Sequence, residues 1–170
     1  MQLRSLTKVF SALNQANVQY LVVGGLAVVA HGYMRTTEDL DLVIGLEPDN
    51  IKRGLAALES IGYQMGIPVT SQQFADPLMR EKWRKTKGML VLKLWSEEHR
   101  RTPIDIFVYE PFDMRAELNR AVWVELSEEV RVPIVSLSAL LAMKRTASRP
   151  QDLADIHELQ QANDQSAGQE

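Results

Sequence analysis

At 170 residues the chain has room for one domain with a real hydrophobic core. A net charge of -3 argues against a globally basic nucleic-acid binder, and the lack of cysteine excludes a disulfide framework and a thiolate zinc site. The most apolar run, Leu21 to Ala30, is broken by two glycines and too short to span a bilayer, and the first residues read as an amphipathic helix, so a soluble, cytoplasmic protein with no membrane association is expected.

In chain order, Leu3, Leu6, Val9, Phe10 and Leu13 are spaced for one face of a first helix. Tyr20 to Val23 is a short buried strand that ends at glycine. Leu26 to His31 fits a short buried helix, with Gly32 placed to cap it. Leu40 to Ile44 is the second strand, and Pro48 opens a helix to about Ile61. Pro68 to Lys87 is polar and basic and reads as a loop with room for a short helix. Met89 to Trp95 and Ile104 to Tyr109 are strands joined by a charged turn short enough for an antiparallel hairpin. Met114 to Arg120 has the length of one or two helical turns, and Val122 to Leu126 and Val130 to Val135 read as further short strands. Leu137 to Arg145 and Pro150 to Ala162 are two C-terminal helices, the second with proline at its first position. The expectation is one domain over residues 1–162, an α/β (α+β) fold with a small mixed sheet flanked by helices, and a disordered tail over 163–170.

The chemistry concentrates between Tyr20 and Gly45. A strand that runs into Gly24 and Gly25 and then a helix presents backbone N–H groups with no side chain in the way, which suits phosphate oxygens. In the next strand Leu40, Leu42 and Ile44 point one way, and Asp39 and Asp41 the other. Two carboxylates side by side repel unless a proton or a cation sits between them. Hard oxygen ligands beside a triphosphate favour magnesium or manganese. Without a ligand the same residues are a tight turn and a solvated acidic strand face. Thirteen residues separate Gly25 from Asp39, enough for a short helix and a return loop that bring glycines and carboxylates to one end of a sheet. Asp105, an acid in the otherwise apolar strand Ile104 to Tyr109, is either the third carboxylate, since burying it alone is costly, or an edge-strand aspartate that faces water.

Gly24-Gly25, the thirteen-residue gap, Asp39-Leu40-Asp41-Leu42 and a later strand aspartate resemble the DNA polymerase beta superfamily of nucleotidyltransferases. Within it, the runs Arg35 to Leu42 and Leu140 to Ile156 are similar to the AbiEii/AbiGii-toxin-like branch. The resemblance implies a nucleotidyltransferase fold, a nucleoside triphosphate substrate, two divalent cations, and transfer of a nucleoside monophosphate to an acceptor hydroxyl. By residue it implies that Gly24 and Gly25 contact the triphosphate, that Asp39 and Asp41 ligate the cations, and that Asp105 helps one of them activate the acceptor. Acceptors in similar proteins include tRNA ends, proteins and small molecules. The branch also implies a toxin or antitoxin partner, with a weakly active or inactive binding partner as the alternative function.

The late helices point to the site independently. Leu137, Leu140, Leu141 and Lys144 share one helical stripe, and on the next helix Leu153, Ile156 and Leu159 define a buried side within which Asp152 projects. Lys144 then either meets the triphosphate, with Asp152 orienting it or Arg149, or pairs with Asp152 to dock the two helices. Arg35 and Thr37, just before the acidic strand, are within reach of phosphate or carboxylate, or are ordinary turn residues. His31 reads as a packed helix-end residue, and His99 and His157 as surface residues. Trp83 lies within the basic stretch Arg80 to Lys87, so that stretch is either a solvated mobile loop or a grip on an RNA backbone with a stacked base.

Overall fold

The computed structural model describes residues 1–167, with side chains described through Asp164. Helix α1 (Leu3–Gln15) buries the expected face through Leu6, Val9, Phe10 and Leu13. Asn17, at φ 51, turns the chain into β1 (Tyr20–Val22). Helix α2 (Gly24–Ala30) starts at the first glycine, two residues earlier than its apolar run suggests. Strand β2 (Leu40–Ile44) and helix α3 (Pro48–Ser60) follow as expected, with Pro48 in the first turn where its missing N–H is harmless.

The basic stretch is more ordered than its composition suggests. A two-residue strand β3 (Gln64–Met65) leads to helices α4 (Ser71–Ala75) and α5 (Pro77–Lys87). Their ends are specified locally. Thr70 and Gln73 form a reciprocal capping box, the Asp76 side chain accepts from the Leu78 N–H, and Gly88 closes α5 in the left-handed region. Phe74, Arg80 and Trp83 are buried, and the Arg80 guanidinium donates to the Phe74 carbonyl at 2.6 Å. Trp83 is therefore a core residue and does not offer its ring to a ligand.

The hairpin of β4 (Val91–Trp95) and β5 (Ile104–Phe107) is antiparallel, as its short turn requires. Its turn docks on α1 through His99, which is buried rather than exposed. The His99 ring lies 3.0 Å from the Ser5 hydroxyl and stacks on Tyr63. Helix α6 (Met114–Leu118), strands β6 (Val122–Ser127) and β7 (Val130–Ile134), and helices α7 (Leu137–Ala147) and α8 (Pro150–Ala167) complete the chain. Helix α8 runs on past Ala162 to Ala167, into the segment expected to be a tail; residues 168–170 of that segment lie outside the described residues. Leu153, expected on the buried side of α8, is exposed, because Asp152, Asp155 and Leu159 take the inward face instead.

The strands form one mixed sheet in the order β3-β4-β5-β2-β1-β7-β6. At its centre β1 is antiparallel to β2 and parallel to β7, and β2 is parallel to β5. Leu40, Leu42 and Ile44 of β2 are fully buried on the face that α1 and α3 cover. The other face carries Asp41, where α2 packs, with α7 and α8 behind it. Among the described residues no helix is long and apolar enough to cross a membrane.

Candidate active site

The register of the sheet assembles the acidic cluster. Asp41 and Asp105 are direct partners on the parallel strands β2 and β5, so their side chains leave the sheet on the same face. Asp39, two residues before Asp41, lies close enough that its charge acts on both. Burial, then the neighbouring Asp105, pushes the Asp41 carboxyl up to about 6, although the Gly25 N–H donates to it and opposes the shift. Asp105 is also raised, by burial first, against a lowering contact from Lys93.

The glycine turn abuts this cluster. The Val23 N–H donates to the Asp41 carbonyl at 3.0 Å, so β1 delivers the chain to Gly24 directly beside the acid. A Cβ at Gly24 would stand 1.9 Å from the Asp41 Oδ2, and Gly24 has a φ of 62°. A Cβ at Gly25 would stand 2.4 Å from the Thr37 hydroxyl and 3.6 Å from the Arg35 guanidinium carbon. Arg35 and Thr37 thus wall the glycine turn. The Thr37 hydroxyl also donates to the Asp39 carbonyl at 3.2 Å, which ties the wall to the first carboxylate.

The donor set fits a divalent cation. The Asp105 Oδ1 is buried without a hydrogen-bond partner, and its Oδ2 already draws the Lys93 ammonium to 3.2 Å. Among the described residues no three acidic or imidazole side chains close on one metal-sized point. Magnesium suits that openness, because it is usually held by one or two carboxylates together with substrate phosphates rather than by an all-protein cage.

Lys144 and Asp152 meet, but their surroundings are more closed than helix spacing alone indicates. Lys144, 5% exposed, donates to Asp152 at 3.2 Å and to Asp155 at 2.6 Å. Asp155 in turn accepts from Arg35 at 2.5 Å. Asp152 also accepts from Arg149 at 2.7 Å, and the two basic partners overcome its burial to hold its carboxyl below the usual range. Lys144 is therefore neutralised inside the α7–α8 pair, and the helix-docking alternative describes its position. Arg149, paired with Asp152 and with a side chain 76% exposed, lies near enough for its charge to act on Asp41.

Asp155 was legible in the sequence, since it sits three residues after Asp152 on the same helical face. Lys93 carries no such signal, because only the pairing register of the hairpin sets it opposite Asp105. Replacing Lys144 by alanine would leave two buried carboxylates facing only Arg35 and Arg149. We expect a loss of about 3–5 kcal/mol, measurable by urea unfolding. A variant as stable as the parent would show that the pair does not hold the helices together.

His31 is a helix-end anchor, with its Nε2 2.8 Å from the Val135 carbonyl. His157 is exposed.

Known structures share this architecture at low identity. The lincomycin-bound lincosamide antibiotic adenylyltransferase LnuA superposes with a TM-score of 0.59 at 17% identity, over 92% of this chain and 95% of that one. ANT(2'')-Ia, in complex with adenylyl-2''-tobramycin, gives 0.57 at 14% identity, over 93% and 86%. An antigenic nucleotidyltransferase-like protein from Paracoccidioides brasiliensis gives 0.55 at 18%, over 92% and 74%. No curated protein sequence matches the chain. The family model described as "Nucleotidyl transferase AbiEii toxin, Type IV TA system" matches residues 10–169. With that match spanning nearly the whole chain, and a nucleotidyltransferase fold beneath it, the protein belongs to the AbiEii nucleotidyltransferase toxin family.

Proposed function

We propose that the protein transfers a nucleoside monophosphate from a nucleoside triphosphate to an acceptor hydroxyl. The observation that carries this reading is the juxtaposition of Asp41 and Asp105, one with an orphaned oxygen, against a glycine turn that has no room for a side chain. The acceptor hydroxyl gives up its proton to solvent, its oxygen forms a bond to the α-phosphorus, the bond from the α-phosphorus to the bridging oxygen breaks, and pyrophosphate leaves. Asp39, Asp41 and Asp105 would hold two divalent cations, magnesium or manganese, whose chemistry is to stabilise the attacking and leaving oxygens.

The remaining work belongs to the chain itself. The turn at Gly24 and Gly25, free of side chains, lets phosphate oxygens approach the backbone at the start of α2. Arg149 supplies positive charge toward the departing pyrophosphate, and Asp152 holds it in place. Lys144 and Asp155 position Asp152 and Arg35 from behind. Asp105, on the side away from the glycine turn, faces the acceptor.

The names of LnuA and ANT(2'')-Ia, an adenylyltransferase and a protein holding an adenylylated antibiotic, support a triphosphate donor for this fold. A triphosphate substrate favours a cytoplasmic location, and the family description favours a cognate antitoxin partner. The double variant Asp39→Ala with Asp41→Ala is expected to abolish transfer of label from an α-phosphate-labelled triphosphate to total RNA and protein, with magnesium present. Undiminished labelling by that variant would end the assignment.

A further inference from the structure

We propose that β6, the open edge of the sheet, pairs antiparallel with β6 of a second copy of this chain about a two-fold axis at Val124, so that the two sheets become one. The strand order leaves two edges. Strand β3, at one end, has two residues and offers little to pair with. Strand β6, at the other, has six and packs chiefly on β7. It carries no proline, lysine or glycine, the residues that keep natural edges from pairing. Val122 and Trp123 are 44% and 49% exposed, one on each face of the strand.

Backbone alternation decides which groups the edge offers. The Val135 N–H donates to the Val22 carbonyl at 3.0 Å, toward β1, and the Arg131 carbonyl accepts from the Asn14 side chain at 2.9 Å. Pro133, between them, has no N–H to give to Trp123 opposite it. These three residues therefore turn their backbone away from β6, while Val132 and Ile134 turn theirs toward it. The hydrogen-bonded pairs across the two strands are then Val122 with Ile134 and Val124 with Val132. The N–H and C=O groups of Trp123 and Glu125 point outward. Among the described residues nothing outside β7 bonds to them.

One register satisfies these groups in both copies. Trp123 opposite Glu125 of the second copy exchanges both backbone bonds, and the axis repeats that pair. Sliding two residues one way would set Glu125 against Glu125. Sliding the other way would call on the Ala121 N–H, which already donates to the Leu118 carbonyl at 3.4 Å. The side chains match in the same register. On the face that α1 covers, Val124 meets Val124 at the axis, and Val122 stands opposite Leu126 on either side of it. On the other face each Trp123 lies beside Glu125 of the second copy. The two glutamates sit on a diagonal, about 7–8 Å apart. Each stays 3.9 Å from its own Arg131, whose guanidinium also lies 5.7 Å from the Trp123 ring centre. Such an isologous contact closes on itself and gives a dimer. Trp123 and Glu125 share the sheet face of Asp41, so both acidic clusters open on the same side of the joined sheet. No residue assigned to nucleotidyl transfer lies in β6, so either reading can fail without the other.

The test is sedimentation velocity of the full chain in chelator, from about 1 to 200 µM, since a short edge with a bulge after Glu125 gives an interface at the small end of stable ones. A concentration-dependent dimer is expected. Trp123→Pro removes an outward N–H that the fold does not use, and is expected to weaken association at least about tenfold. Proline can also strain the strand, so a second variant reads the register in an otherwise intact edge. The chain has no cysteine. Val124→Cys places two thiols at a non-hydrogen-bonded pair with Cα atoms about 4.5 Å apart, within disulfide reach, and oxidised glutathione should link two copies. Leu78→Cys, exposed on α5, should stay unlinked. A chain that is monomeric throughout, leaving the edge to a strand of another protein, would overturn the proposal. So would undiminished association of a folded Trp123→Pro, or linkage of Leu78→Cys as complete as that of Val124→Cys.

Discussion

Replacing Asp41 by asparagine is expected to stabilise the metal-free protein at pH 8 while ending nucleotidyl transfer. The folded-state carboxyl is raised from 3.8 to about 6, first by burial and then by Asp105. A group whose pKa is higher in the folded state binds its proton more tightly there. Its contribution to stability is complete below about pH 4 and is lost as pH rises through about 6. A shift of roughly two units corresponds to about 3 kcal/mol, absent at pH 8 from the metal-free chain. Asparagine is neutral at every pH, fills the same space and still accepts from the Gly25 N–H. The variant should therefore unfold about 5–10 °C higher than the parent at pH 8 in chelator, and match it at pH 4. The gain is the electrostatic strain that a cation would relieve. Added magnesium with triphosphate should raise the melting temperature of the parent and leave the variant unmoved. Calorimetry at the two pH values checks this, and a variant less stable than the parent at pH 8 would refute the strain.

Replacing Gly24 by alanine is expected to lower turnover at least a hundredfold with only a modest loss of stability. Two effects combine at this residue. Its φ of 62° costs an L-residue about 1–2 kcal/mol. The added Cβ would also stand 1.9 Å from the Asp41 Oδ2 and 2.5 Å from its Cγ, so the carboxylate must move by about an ångström or more to clear it. A misplacement of about 1 Å in a catalytic group is enough for a loss of that size. Gly88 separates the two effects. It has a φ of 60°, and a Cβ added there would meet nothing within 4 Å. Gly88→Ala should lose only the backbone-strain part of that stability and keep full turnover. Equal turnover losses in the two variants, measured by pyrophosphate release, would show that backbone strain and not the Asp41 contact is responsible.

These effects lie in a region the sequence describes well. Strand β2 follows from its alternation, and α1, α3, α7 and the β4–β5 hairpin from apolar period and turn length. Two kinds of feature were harder to read. Helices α4 and α5 have few apolar residues, so period says little about them. Their caps, Thr70 with Gln73 and Asp76 with Pro77, carry the information instead. His99 looks like part of a charged surface turn, because its partners Ser5 and Tyr63 come from distant parts of the chain.

The site divides in the same way. Gly24, Gly25, Asp39 and Asp41 lie within one local strand-turn-helix-strand unit, and their grouping needs little beyond the period of a strand and the geometry of a turn. The partners of Lys144 required more, since Asp152 and Asp155 compete for one ammonium and Arg35 arrives from a distant part of the chain to share the second of them.

Local order along the chain thus determined the acidic strand, the side-chain-free turn before it and the family they signal. Tertiary structure alone decided that Asp105 stands beside Asp41, that Lys93 reaches it, and that Lys144 is shut in between Asp152 and Asp155. The physical reason is that these depend on pairing register and helix packing between distant segments, which satisfy hydrogen bonds and burial for the fold as a whole and leave no mark at any one position.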